Sequence, residues 1–128
     1  PGAEGWQLSN PPILSMAAIR ASLDVFAEAG IKNLRKKSVK LTGFLEFLVD
    51  GLHDDRISII TPRDPDERGC QLSIQVKSAN KKLHDKLTEA GVISDWREPD
   101  VVRVAPAPLY NSFEDVFHFA ERLKKILS

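Results

Sequence analysis

The chain has 128 residues, with eighteen basic side chains balancing eighteen acidic ones and a pI near 7.4. That length fits one domain with a real core and falls short of a typical two-domain enzyme. Charge neutrality removes the electrostatic reason to expect nucleic acid or an anionic membrane as partner, and no apolar run approaches the ~20 residues that span a bilayer. The opening residues do not resemble a signal peptide. The lone Cys70 cannot form an internal disulfide and suits a reducing compartment, so the expected location is cytoplasmic. The chain opens on Pro1 and a loop-like Pro1-Gly2-Ala3-Glu4-Gly5, which leads us to expect a piece cut from a longer protein.

Asn10, followed by Pro11 and Pro12, reads as a helix start, with the amide capping free N–H groups and proline suiting the first turn. Ile13, Met16, Ile19, Leu23 and Phe26 then recur at helical spacing, and Gly30 ends or breaks the helix. Leu34, Leu41, Leu45, Leu48 and Leu52 mark a second helical face. Together these predict a helical arm of roughly forty residues, well beyond the usual ~11–12, as suits an element running between two domains. The basic run Arg35-Lys36-Lys37, with Lys40, reads as a solvated helix face.

Strands are predicted over 57–60 and 71–76, pairing antiparallel across a polar loop. Leu83, Leu87 and Ala90 give a short helix stopped by Gly91. Two more strands, 92–96 and 101–104, flank a turn at Pro99-Asp100. Ser112 caps a last helix with Asp115 in the capping-box position. Its expected buried stripe is Phe113, Val116, Phe117, Ala120, Leu123 and Leu127. The fold class is α+β: a small, largely antiparallel sheet with helices on one face and a long N-terminal helical arm.

Most catalytic constellations fail on inspection. His53, His84 and His118 are scattered without a second ligand at metal-site spacing, so no metal is expected. Cys70 has no CxxC partner and reads as a small core residue. The glycines form no phosphate-cradling loop, the acidic residues near Asp54 and Asp64 read as loop solvation, and Trp6 and Trp96 lack a basic stripe for stacking on nucleic acid. Two polar residues in stiff, apolar surroundings remain. Arg103 sits on a strand that exits through Ala105-Pro106-Ala107-Pro108, and its planar fork suits a carboxylate. Read simply, it is an edge-strand arginine bridging to a surface acid. Asn10 reads equally well as a helix cap or as a ligand contact, since its amide both donates and accepts.

Four segments in order, GWQLSNPPIL (5–14), LRKKSVKLTGFLE (34–46), ERGCQL (67–72) and RVAPAPLYNSF (103–113), resemble kynureninase, a pyridoxal-phosphate enzyme of the aspartate-aminotransferase superfamily. The resemblance implies the C-terminal small domain of an enzyme that hydrolyses kynurenine or 3-hydroxykynurenine to an anthranilate and alanine, within tryptophan catabolism and NAD biosynthesis. It implies that Arg103 grips the substrate α-carboxylate and that Asn10 contributes to the cofactor and substrate pocket. It also implies pyridoxal phosphate in the intact enzyme, a large domain of the same chain as partner, and a homodimer. The lysine that holds the cofactor and most phosphate ligands would lie upstream, so these 128 residues alone are expected to be inactive. Competing expectations are the small domain of a cysteine-desulfurase-type enzyme and a free-standing module that binds small carboxylates.

Overall fold

The computed structural model describes residues 2–128 and divides the chain into two compact units, 1–33 and 34–128. In the first unit, a 3-10 turn over Ala3–Trp6 replaces the expected opening loop, whose Pro1 lies outside the described residues. Helix α1 covers Ile13–Ala29. It begins three residues after Asn10, its N-cap is Pro12, and no side chain caps it. Asn10 is therefore not the cap that the sequence predicts. A residue before proline is pushed out of the helical region, and Pro11, which would be the first helical residue after an Asn10 cap, stands before Pro12. Gly30, at φ +78°, ends α1. The stripe Ile13, Met16, Ile19, Leu23 and Phe26 is exposed throughout, and no α1 residue is buried.

Helix α2 spans Ile31–Asp50, so the expected arm is two helices divided at Gly30. In the second unit, strands β1 (Ile57–Ile59), β2 (Leu72–Val76), β3 (Asp95–Arg97) and β4 (Val101–Val104) form one antiparallel sheet in the order β1-β2-β4-β3. Helices α3 (Lys81–Glu89) and α4 (Phe113–Leu127) complete the unit. Period-two alternation sends Leu72, Ile74, Val76, Val102 and Val104 to the helical side, where they pack with Leu41, Leu45, Leu87, Phe119 and Leu123. The opposite side of the sheet carries Ser73, Gln75 and Arg103 at half-buried positions, so the helices cover one face as expected.

Three local predictions need correction. The strand expected over 92–96 starts only at Asp95, because the preceding residues finish α3 instead. Gly91, at φ +81°, donates its N–H to the Thr88 carbonyl, and Val92 donates to the Leu87 carbonyl. This is a Schellman end, with Val92 and Leu87 both in the core. On α4 the capping box at Ser112 and Asp115 forms as expected, but Phe119 is buried where Phe117 was expected. Phe113 and Phe117 each keep 44% of their surface exposed. Phe113 stacks edge-on against Phe44, with ring centroids 5.8 Å apart. Finally, Cys70 is half-buried and is not a core residue.

Candidate functional site

The sheet places Arg103 on β4, an inner strand flanked by β2 and β3, so it is not an edge-strand arginine. Its strand partners across the ladder are Ser73 on β2 and Asp95 on β3. All three project from the side of the sheet opposite the helices, because their neighbours Leu72, Ile74, Val102 and Val104 turn the other way. The Arg103 side chain is 31% exposed, half sunk into this polar face. Its Nε donates to Asp95 Oδ2 at 2.7 Å, and its Nη2 donates to the same oxygen. Asp95 Oδ2 also accepts from Arg97 Nε at 3.1 Å. The bonds from Arg103 are the main reason that the Asp95 carboxyl is held below its ordinary range; desolvation opposes them, and Arg97 adds to the lowering.

The strand exit behind Arg103 is braced from three directions. Pro106 and Pro108 fix φ at alternate positions, and Pro106 is buried. Asn111 closes the turn that follows: its Oδ1 accepts from the Ala107 N–H at 2.8 Å, and its own N–H donates to the Ala107 carbonyl at 2.9 Å. Lys37 on α2 reaches across to donate its Nζ to the Pro108 carbonyl at 2.8 Å. Arg35, two residues earlier, donates to the Pro65 carbonyl. The basic run is thus more than a solvated face, since two of its members hold loops by their carbonyls. Sequence reading misses this because a lysine that bonds a carbonyl seventy-one residues away has no local signature.

A second charged cluster holds the 61–69 loop to α2. Arg63 donates to Glu46 and Asp50, each at 2.6 Å, and Arg68 Nη2 donates to Glu46. Burial pushes the Glu46 carboxyl up, but the hydrogen bonds from Arg63 and Arg68 outweigh it, and the net displacement is downward. Arg68 is nearly buried, at 5% side-chain exposure, and also donates to the Pro62 carbonyl at 3.1 Å. This loop in turn supplies Thr61 Oγ1, which accepts the Ser73 N–H at 2.8 Å beside Arg103. An open hollow of about 470 Å³ lies elsewhere, against α4, between Val92, Pro106, Asn111, His118 and Arg122. Arg103 is not among its lining residues.

Asn10 belongs to the first unit, where it is exposed and makes no side-chain hydrogen bond among the described residues. Arg103 belongs to the second unit. The histidines behave as surface or helix groups: His84 Nε2 meets the Ser94 carbonyl at 3.1 Å, and His118 lies 3.6 Å from Glu114 one turn away. Among the described residues no group of three potential ligands could hold a metal ion, and no helix is long and apolar enough to cross a membrane.

Comparison with known proteins gives this geometry a family. The profile of the kynureninase C-terminal domain matches residues 34–123, from the first buried leucine of α2 to the last of α4. The chain belongs to the kynureninase C-terminal domain family. Among its relatives, the proteins named kynureninase from Koribacter versatilis and Myxococcus xanthus are 58% and 55% identical to it, over 94% and 97% of the chain. The one from Stenotrophomonas maltophilia is 53% identical over 96%. The chain spans only 28–30% of the length of these relatives. Among solved structures, a NifS-like protein superposes with a TM-score of 0.76 at 18% identity, over 93% of this chain and 34% of its own. The 8-amino-7-oxononanoate synthase of Francisella tularensis gives a TM-score of 0.65 at 22% identity, over 93% of this chain and 34% of its own. At these identities the likeness is one of fold alone, and it agrees with the α+β class read from the sequence.

Proposed function

We propose that the protein carrying this chain is a pyridoxal-phosphate-dependent hydrolase that cleaves L-kynurenine or its 3-hydroxy form into an anthranilate and L-alanine. In this reading residues 1–128 are its C-terminal small domain, a partner to a large domain of the same chain. The observation that carries the reading is identity of 50–58% to proteins named kynureninase along more than nine-tenths of the chain. The geometry of Arg103 supports it. One edge of the guanidinium is spent on Asp95, while the Nη1–Nη2 edge has no partner among the described residues and can take a substrate α-carboxylate bidentately. The braced strand exit keeps that aim fixed, which is what a positioning group requires.

The residues present fit a contributing share in cofactor binding. The free amide of Asn10 has both a donor and an acceptor to offer a cofactor or substrate, and the arginine offers a cation for an acid group. When bound, pyridoxal phosphate would supply the electron sink that bond cleavage next to the carbonyl needs. This chain's own share is orientation: Arg103 holds the carboxylate end of the substrate, and Asn10 helps to seat its aromatic end. Because Arg103 and Asn10 hold rather than react, the segment by itself performs no turnover. The family resemblance further supports a homodimer, and the unpaired Cys70 supports a cytoplasmic setting.

The test is a fluorescence assay for anthranilate with the full-length protein and L-kynurenine, in the wild type and in Arg103→Lys. Turnover of kynurenine is expected, with KM raised at least about tenfold by the substitution, because lysine keeps the charge and loses the planar fork. Release of sulfide from cysteine without kynurenine cleavage would move the assignment to the cysteine-desulfurase type. Turnover with an unaltered KM in Arg103→Lys would remove Arg103 from the carboxylate role.

A further inference from the structure

We propose that Asp95 is the positioning residue of Arg103, holding the guanidinium side-on through Nε and Nη2 so that its Nη1–Nη2 edge faces the substrate carboxylate. This rests on the reading of Arg103 as the carboxylate-binding group.

Three features of the second unit carry the proposal. Asp95 and Arg103 stand directly opposite each other in the β3–β4 ladder, so their encounter is set by backbone pairing and not by a mobile loop. The bonding is also one-sided. Both donors used by Asp95, Nε and Nη2, lie on the same edge of the guanidinium and converge on a single oxygen, Oδ2. Nη1 and the second N–H of Nη2, which together form the end-on edge that matches a second carboxylate, stay outside this grip. The third feature is charge. A carboxylate beside an anion-binding arginine would ordinarily weaken its pull, but Arg97 shares the same Oδ2. Two guanidinium groups against one carboxylate leave a net charge of about +1, so the cluster still attracts an anion.

A free arginine must freeze several side-chain torsions when it binds, and that entropy is lost from affinity. Asp95 freezes them beforehand. The edge strand β3 is only three residues long and is itself secured, with Trp96 packed against the core and its Nε1 donating to Glu98 Oε1 at 2.9 Å. The signature Asp-x-Arg at 95–97 is therefore part of the anion site, although neither residue needs to touch the substrate.

The experiment is a double-mutant cycle on the full-length holoenzyme, with KM and kcat measured for Asp95→Asn, Arg103→Ala and the pair. Asp95→Asn is expected to raise KM about tenfold while kcat stays within about threefold, and to add less than about twofold in the Arg103→Ala background. The decarboxylated analogue of kynurenine, used as a competitive inhibitor, should bind Asp95→Asn and wild type equally, which damage to the fold would not produce. Asp95→Glu, which keeps the charge and displaces it, should fall between the two and serves if Asp95→Asn does not accumulate. Equal effects of Asp95→Asn with and without Arg103 would overturn the proposal. So would a lowered KM, which would make Asp95 a competitor for the guanidinium. An unchanged KM in Arg103→Ala alone would overturn the reading of Arg103 itself, a result distinct from loss of the coupling, which overturns only the role of Asp95.

Discussion

Two glycines in the second unit should respond to the same substitution with opposite sign. Gly91 has φ +81°, and an added Cβ there would meet no atom within 4 Å. Gly91→Ala therefore costs nothing in packing, and its whole penalty comes from holding an L-residue in the left-handed region, about 1–2 kcal/mol. Escape from that penalty would break the paired bonds from Gly91 to Thr88 and from Val92 to Leu87, and would pull two core side chains out of register. Gly43 lies inside α2 at ordinary helical φ, and an added Cβ there also meets nothing within 4 Å. Gly43→Ala should stabilise by about 0.5–1 kcal/mol, because alanine loses less backbone entropy on helix formation. The assay is urea unfolding of the full-length protein followed by helical circular dichroism, read as shifts in midpoint at constant slope. Gly91→Asn gives an internal control, since asparagine tolerates the left-handed region and should lose less than alanine. Two shifts of the same sign, or a neutral Gly91→Ala, would refute the claim that backbone conformation alone decides the outcome.

Removing Glu46 should be far costlier than removing its neighbour in the same cluster. Glu46→Ala leaves the buried Arg68 without its carboxylate and should destabilise by about 3 kcal/mol, whereas Asp50→Ala, at a half-exposed position, should cost under about 1 kcal/mol; urea midpoints measure both. The hydrogen bonds from the Arg56 side chain and backbone hold the Asp54 carboxyl down to about 2. Its contribution to stability is thus complete above the unfolded carboxylate value near 4 and disappears as pH falls through about 2. Midpoints measured across that window should fall more steeply in the wild type than in Asp54→Asn. Parallel curves would show that the Asp54–Arg56 pair contributes no differential binding of protons.

Legibility of the fold followed the range of the interactions involved. The Ser112 cap, the stop at Gly91 and the alternation of Leu72 to Val76 are one-turn or one-strand devices, and all three read directly from the sequence. Phe117 and Phe119 could not be separated that way, because two aromatic residues two positions apart compete for one helix face and the facing sheet decides between them. The start of α1 departs from its sequence signal for a different reason. Asparagine before two prolines carries the chemistry of a cap, but Pro12 keeps Pro11, which would be the first helical residue, out of the helical region, so the helix starts later.

Residue order is enough to put Arg103 on a short strand with a proline-stiffened exit, and Asn10 in a comparably stiff segment. Local chain chemistry dictates both. Folding adds that β4 is an inner strand, that Asp95 takes one edge of Arg103 and leaves the other, and that Lys37 braces the exit from α2. Those are cross-strand and long-range meetings. Strand order and helix packing set them, and neither is encoded in the spacing of residues along the chain.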